Sequence, residues 1–392
     1  MAIADCAHET SGPRVSVAES LEPAIDAWRH LEARCPRTPF QSLAWHRAVI
    51  DGGGAVGDIR IVVGHDDDGS PVFLLPLALT RLGPLNILRW LSGPQASYGG
   101  GLFDPGFAAR LDRAGAMGLV ARIAAALPRA DALVLSDQRD DMPANPLRLL
   151  PRIAGASEGY SVTLGSWDEV YTARNNRRAR HNDRRREKRL AEIAPWRVRF
   201  AGEAGDRARL AEVMFAQKRA WLRAQGIDDF LADPGTRALL ARVIGGAPDA
   251  GLEPVVAALE VGGEVAAVSF ALIHDRRCYS LITSVSENEA LHRQSPGDIL
   301  FRHLMAAMCE RGIADLDLGI GANTQKEHYA DRRFRLFHTL VPLTAEGRVY
   351  TATIRARTAA KRAIKESPAL WSAFQHLRRL RGAIDGLIGR TA

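Results

Sequence analysis

The stretch "LDLGIGANTQKEHY" (316–329) gathers a carboxylate, two glycines, a lysine, a histidine and a tyrosine at the end of an apolar run. Asp317 alternates with Leu316 and Leu318 and so points to one side of a strand. There it would orient or deprotonate a nucleophile, or act as a strand-end carboxylate paired with an arginine. Lys326 would neutralise developing negative charge or grip a phosphate, or lie on the surface. His328 and Tyr329 are proton-transfer candidates by chemistry, or structural residues. The glycines invite a dinucleotide reading, but that fingerprint needs GxGxxG and an acid about 20 residues later. Thr324 stands at the third glycine position, and Val341-Pro342-Leu343 where the acid should be.

A second stretch, "HRQSPGDILFRHLMAAM" from His292, enters a helix on which Ile299, Leu300, Leu304 and Met308 recur with helical spacing. Its N-terminus offers amides and the positive end of the helix dipole to an anion. Gly297 allows close backbone approach and Arg293 a charge-assisted contact; a capped structural helix is the alternative.

Charge is concentrated in two places. Arg174–Arg189 holds nine Lys/Arg against two acids, and Thr351–Ala392 again nine against two. With a net charge of +7, the rest of the chain is therefore mildly acidic, at 7 less 14, or −7. Such segments suit phosphates, an anionic membrane surface or acidic glycans, or form solvated helix faces.

The elements that must position these residues fall into two similar halves. Each reads strand, helices, three meandering strands, helix, strand. In the first half these are "RVSV" (14–17), helical segments at Pro23–Ala33 and Ser42–Ile50, hairpin strands turned at Asp68-Gly69, a helix from about Gly106 to Leu127, and "DALVLS" (131–136). In the second they are "WRVRF" (196–200), a helix marked by Leu210, Met214 and Trp221, a hairpin turned at Gly262-Gly263, "CYSLITSVS", the helix Pro296–Arg311 and "IADLDLGI" (313–320). "ADALVL" from Ala130 and "ADLDLG" from Ala314 echo each other, which indicates a duplicated α/β domain. Val170–Glu192 contains no Pro or Gly and predicts one basic helix between the halves. Ser367 and Pro368 predict the start of a last amphipathic helix. The glycine-rich "GPQASYGGGLFDP" (93–105), with Tyr98, reads as a flexible loop over a cleft between the halves, or as a plain connection. "HDDDG" (65–69) reads as a solvated hairpin turn, not a metal site.

At 392 residues with 46% hydrophobic and 25% charged side chains, the chain suits two globular domains. No apolar run reaches the roughly 18–20 residues of a membrane span, and the first residues do not resemble a secretory signal. Four scattered cysteines argue against a disulfide frame or structural zinc and suit a reducing cytoplasm.

An anion-receptive helix start after a three-strand meander resembles the GNAT acyltransferase fold. In that family the pyrophosphate of acyl-CoA sits on the amides of a (Q/R)xxGx(G/A) loop. Gln294 and Gly297 match its first two positions, and Ile299 stands at the third. The resemblance thus implies an acyl-CoA site at Arg293, Gln294, Ser295, Gly297 and Asp298. Over roughly Thr38–Pro342, "TPFQSLAWHRAV", "GSPVFLLPLALTR", "RNNRRARHNDRRREKRL", "FAQKRAWLRAQG", "SPGDIL" and "DLGIGANTQK" are similar, in order and spacing, to the CelD/BcsL-type acetyltransferases. These are double-GNAT proteins related to the FemAB aminoacyltransferases, and many are associated with exopolysaccharide or cellulose production. The family ends its last core strand with acid-x-Gly-x-Gly and then an aromatic-Lys pair. Asp317, Gly319, Gly321 and Lys326 match, Gln325 replaces the aromatic, and Tyr329 follows a helical turn later.

The resulting expectation is an α/β (α+β) chain of two tandem GNAT-like domains, each a mixed, mostly antiparallel sheet flanked by helices. The expected divisions are a degenerate lobe (1–165), a basic connecting helix (166–195), a catalytic lobe (196–350) and a basic helical tail (351–392). The expected activity is acyl transfer from acyl-CoA, acetyl-CoA foremost, to an amine or hydroxyl acceptor without a metal, with Asp317, Lys326, His328 and Tyr329 as the catalytic set. The expected partners are a small-molecule or sugar acceptor, nucleic acid as the second candidate, and a peripheral membrane contact through the basic tail. Two alternatives stand beside it: a FemAB-like enzyme using aminoacyl-tRNA, and a catalytically inactive accessory protein of a polysaccharide complex.

Overall fold

The computed structural model describes residues 12–246 and 251–367, together with Leu370 and Ser372. Its first half runs β1 (Arg14–Ala18), α1 (Ile25–Glu32), α2 (Leu43–Asp51), β2 (Asp58–His65), β3 (Pro71–Leu82) and β4 (Leu85–Trp90). The two-residue β5 (Leu102–Phe103), α3 (Pro105–Arg110), α4 (Arg113–Ala125), β6 (Ala132–Arg139) and β7 (Arg152–Thr163) complete it. Helices α5 (Trp167–Arg174) and α6 (Arg177–Ile193) lead to the second half. That half comprises β8 (Trp196–Phe200), α7 (Ala204–Ala224), α8 (Pro234–Gly245), β9 (Glu253–Val261), β10 (Glu264–His274) and β11 (Arg277–Val285). The short α9 (Glu289–His292), α10 (Pro296–Glu310), β12 (Asp315–Ile320), α11 (Thr324–Tyr329), β13 (Arg332–Pro342) and α12 (Ala345–Glu366) follow.

All main strands join one sheet in the order β1-β2-β3-β4-β6-β13-β7-β12-β11-β10-β9-β8, with β5 beside β3. The order is a palindrome about the β13/β7 pair. β1 corresponds to β8, the meander β2–β4 to β9–β11, β6 to β12, and β13 to β7. Every pairing is antiparallel except β4 with β6 and β11 with β12. The two similar halves of the sequence reading are therefore present. They form a continuous sheet because each half gives its last strand to the other: β13 lies between β6 and β7, and β7 between β13 and β12.

Two helical expectations change, and a third is left open. The segment 170–192 is two helices, because Asn176 caps α6 through its side chain (Ala179 N to Oδ1, 2.9 Å) and Asn175 is extended. The segment 106–127 divides likewise at Asp112, whose side chain accepts from the Gly115 amide. The helix after Ser367 lies almost wholly outside the described residues; Leu370 N does donate to Ser367 Oγ at 3.4 Å. Among the described residues, no helix is long and apolar enough to cross a membrane.

The largest core draws on both halves. Phe40, Trp45 and Val49 of the first pack with Met214, Phe215, Leu240 and Phe270 of the second. Each such side chain contributes about 1.5–3 kcal/mol on burial, so the halves are fixed relative to each other by the same force that folds each of them.

Candidate functional site

Strands β11 and β12 pair as parallel neighbours at Arg277↔Asp315, Cys278↔Leu316 and Tyr279↔Asp317, and then part. Beyond that point β11 follows β10 for six more residues, while β12 bulges between Asp317 and Gly319 and follows β7. Gly319 and Gly321 take φ of 77° and 86°. This left-handed backbone is open to glycine at little cost, so the glycines that suggested a nucleotide loop instead turn β12 away from β11.

Asp317 stands at the point of divergence and is buried. Its Oδ1 accepts from the Tyr98 hydroxyl (2.7 Å) and the Gly319 amide (2.8 Å), and its Oδ2 from Arg139 Nη1 (2.7 Å). Burial pushes its carboxyl above the usual range, and Arg139, Tyr98 and the Gly319 amide restrain that rise. Both side-chain partners come from the first half. Arg139, at the end of β6, also binds Asp141 (2.9 and 2.8 Å) and lies 3.7 Å over the Phe334 ring. Its charge is thereby held in a desolvated place by two carboxylates and a π face.

The "TPFQSLAWH" segment fixes Tyr98. Thr38 and Gln41 form a capping box, and Gln41 Nε2 donates to the Tyr98 carbonyl (2.9 Å). Trp45 Nε1 reaches Ser92 Oγ (3.2 Å), just before the glycine-rich loop, and His46 Nε2 lies 3.3 Å from the same oxygen. Complete burial lowers the His46 pKa to about 4, so it is neutral there. Phe40 packs edge-on against both Tyr98 and Tyr279. The loop that the sequence read as a flexible cover or a plain connection is therefore a half-buried wedge with Tyr98 fully buried, anchored because its backbone and its tyrosine are both hydrogen-bonded. A cavity of about 20 Å³ beside it, lined by Thr38, Gln41, Tyr98, Arg139 and Asn145, has room for about one water.

Lys326, on the first turn of α11, leans over the opening. Its Nζ donates to the Ile320 carbonyl (2.8 Å), and burial lowers its pKa to about 8. Lys218 of α7 donates to the Thr283 carbonyl of β11 (3.3 Å) and lies 4.4 Å from the Trp221 ring; burial lowers its pKa too.

The other sequence-selected residues have other partners. Tyr329 is buried against Phe301 (5.2 Å), which lifts its hydroxyl to about 12. His328 is exposed, with Nε2 at 2.9 Å from Asn175 Oδ1. At the start of α10, Arg293 turns outward to Glu289 (3.2 Å). Asp298 binds Gln325 Nε2 (2.9 Å) and Arg186 Nη1 (3.2 Å), which places a carboxylate in the first helical turn. Ser295 takes a left-handed φ of 55°. The amides of Gln294, Ser295, Asp298 and Ile299 donate to Leu291, His292, Ser295 and Ser295 carbonyls, and Pro296 has none. Gly297 is left as the one loop amide without such a bond among the described residues. A Cβ there would meet Val285 at 3.1 Å. Ile299 is fully buried in the core with Leu190 and Ala267. The candidate site at the opening therefore gathers Asp317, Tyr98, Arg139, Lys326 and Lys218. The sequence reading selected the first and fourth and noted Tyr98, but passed over Arg139 and Lys218.

Residues 177–331 match the family model of an acetyltransferase (GNAT) domain. No curated protein sequence matches the chain. Among solved structures it is similar to the C-terminal domain of a putative lysylphosphatidylglycerol synthetase from Agrobacterium fabrum (TM-score 0.50, 11% identity, 87% of this chain and 96% of that one). It is also similar to FemX (TM-score 0.51, 11% identity, 82% and 96%). A protein of unknown function from Bacteroides thetaiotaomicron aligns with a TM-score of 0.52 at 11% identity, over 84% of this chain and all of that one. At such identities the likeness is one of fold. Residues 177–331 thus match a GNAT acetyltransferase domain, and the chain as a whole has a GNAT/FemAB-like fold of two GNAT-like halves.

Proposed function

We propose that the protein transfers an acyl group from an activated ester or thioester to an amine or hydroxyl acceptor in the opening between β11 and β12. The observation that carries this reading is the buried Asp317, held at the divergence of two parallel strands with Lys326 over the gap. The acceptor's N–H or O–H attacks the acyl carbon as its proton passes to Asp317, whose burial makes it a stronger base than an exposed carboxylate. The Lys326 ammonium stabilises the oxyanion and gives its proton to the leaving sulfur or oxygen as the bond to the acyl carbon breaks. Tyr98 and Arg139 hold Asp317 in place. Resemblance to the CelD/BcsL-type proteins supports an acceptor from envelope or exopolysaccharide synthesis, an amino sugar among them.

The α10 start fits a CoA pyrophosphate poorly, with one unengaged loop amide and an acid in the turn. A second reading, an acyl ester carried on RNA, is favoured by six exposed cations on α6 (Arg177, Arg178, Arg184, Arg185, Lys188, Arg189), none of them ion-paired among the described residues. Thermal unfolding with acetyl-CoA, longer acyl-CoAs and bulk tRNA separates the two. A ligand at about 100 times its Kd stabilises by about 2.7 kcal/mol. A shift with tRNA that fades with salt supports the RNA-borne donor, and a shift with an acyl-CoA supports the thioester. Failure to move labelled acyl groups from either donor to any amine or hydroxyl acceptor overturns the transferase reading.

A further inference from the structure

We infer that the opening between β11 and β12 binds an anionic group, a carboxylate or a phosphate ester, between Lys218 and Lys326. The inference deepens the acyl-transfer reading by naming the chemistry of what enters the gap, and its test uses no turnover. The two ammonium groups occupy matching places on opposite walls. Lys218 is tied to the carbonyl of Thr283, four residues past the last β11–β12 pair, and Lys326 to that of Ile320, three residues past it. They arrive from different elements, α7 and α11, and each contacts a carbonyl on a strand that has lost its neighbour across the gap. Neither is in an ion pair among the described residues. The nearby carboxylate of Asp317 attracts Lys326 but forms no ion pair with it, being hydrogen-bonded to Arg139, Tyr98 and the Gly319 amide.

Both cations are half-buried with one carbonyl apiece, and only Lys326 feels a nearby carboxylate, that of Asp317. An anion between them would offset the cost of burial, which one carbonyl each does not. Each ammonium has three donors, so two remain on each for a ligand's oxygens. The Trp221 face beneath Lys218 fixes the direction of that cation. The position differs from an anion site at the α10 start, because it is built from side chains inside the strand opening. It also sets charge where a neutral donor arm would gain only backbone contacts.

The test is binding of succinate, inorganic phosphate and pyrophosphate to the full chain, read by calorimetry and by thermal shift at constant ionic strength, with chloride as reference. Lys218→Met and Lys326→Met keep the aliphatic stem and remove the charge. The expected result is saturable binding of at least one anion, weakened tenfold or more by each substitution, with preserved unfolding cooperativity in the absence of ligand. Preference for succinate points to a carboxylate on the substrate, and preference for phosphate or pyrophosphate to a phosphorylated carrier. Anion binding of equal strength in wild type and both variants, or no saturable binding of any of the three, overturns the inference. Acyl transfer that survives alongside either of those results leaves the transferase reading standing without it.

Discussion

The two parallel strand pairs, β4 with β6 and β11 with β12, hold equivalent places in the palindromic sheet, and both part after a short contact. The last paired residues are Leu88 and Leu133 in the first half, and Tyr279 and Asp317 in the second. Past the first divergence the chain fills its own gap. Trp90 Nε1 donates to the Ser136 carbonyl (3.0 Å), and Gly99 bridges to Gln138. Gly99 lies so close that a Cβ on it would stand 2.1 Å from Trp90 Nε1. Past the second divergence, the carbonyls of Thr283 and Ile320 are met by lysine side chains. The residue before the wedge's Gly99 is Tyr98, which binds Asp317. One half of the duplication has thus closed its own opening with a segment that helps to build the other's.

The sharpest way to break this comparison is to make the second divergence resemble the first. Asp317→Leu is expected to lower acyl transfer by about 10³-fold or more and to destabilise the fold by about 3–5 kcal/mol, because Arg139 loses a buried partner. Asp317→Asn separates the two effects, keeping most of the packing while removing the base; steady-state rates with urea unfolding check both. Near-wild-type turnover in Asp317→Asn would remove the base assignment. Opening the first gap should have the reverse profile. Trp90→Ala is expected to cost about 3–5 kcal/mol in urea melts while the rate per folded molecule falls no further than in Tyr98→Phe.

Tyr98→Phe tests whether the wedge matters to the second site. Loss of a hydrogen bond to a buried carboxylate is worth about 1.5–3 kcal/mol, and turnover should fall roughly tenfold or more if Tyr98 positions Asp317. Unchanged kcat would leave Tyr98 a packing residue. The smallest effect expected is on the pH profile. The Lys326 ammonium prevails below about pH 8, so transfer that needs it declines as pH rises through that value, and Lys326→Arg should move this limb upward. Stability runs the other way. With the folded pKa depressed, the unfolded chain binds more protons between about pH 8 and the ordinary lysine range. The penalty for burying this lysine is therefore full below pH 8 and relieved across that window.

Much of the framework was legible because it is local. Alternation marked the meander strands, Gly262-Gly263 marked a hairpin, and the echo of "ADALVL" in "ADLDLG" aligned Leu133 with Asp317, the same correspondence that the strand register gives. The partners of Asp317 were not legible, because Arg139 and Tyr98 are 178 and 219 residues away in sequence and only the shared core brings them close. Arg139 did leave one trace, as a basic residue closing the strand that echoes the site strand. The break at Asn175-Asn176 was hidden because asparagine caps less obviously than proline or glycine interrupts. At the α10 start the motif was readable, whereas the left-handed Ser295 that turns its amides inward was not.

The exchange of β7 and β13 has a consequence during synthesis. Strand β6 takes its inner neighbour from β13, and paired residues such as Val134 and Leu340 lie about 200 positions apart. At about 5–20 residues per second, a ribosome needs roughly 10–40 s to deliver that partner. Through this interval a strand with apolar Leu133, Val134 and Leu135 waits with an open edge, the kind of edge that invites pairing with other chains. The first half therefore carries an unpaired, aggregation-prone edge until the second emerges, and a fragment ending near residue 165 would carry that hazard permanently.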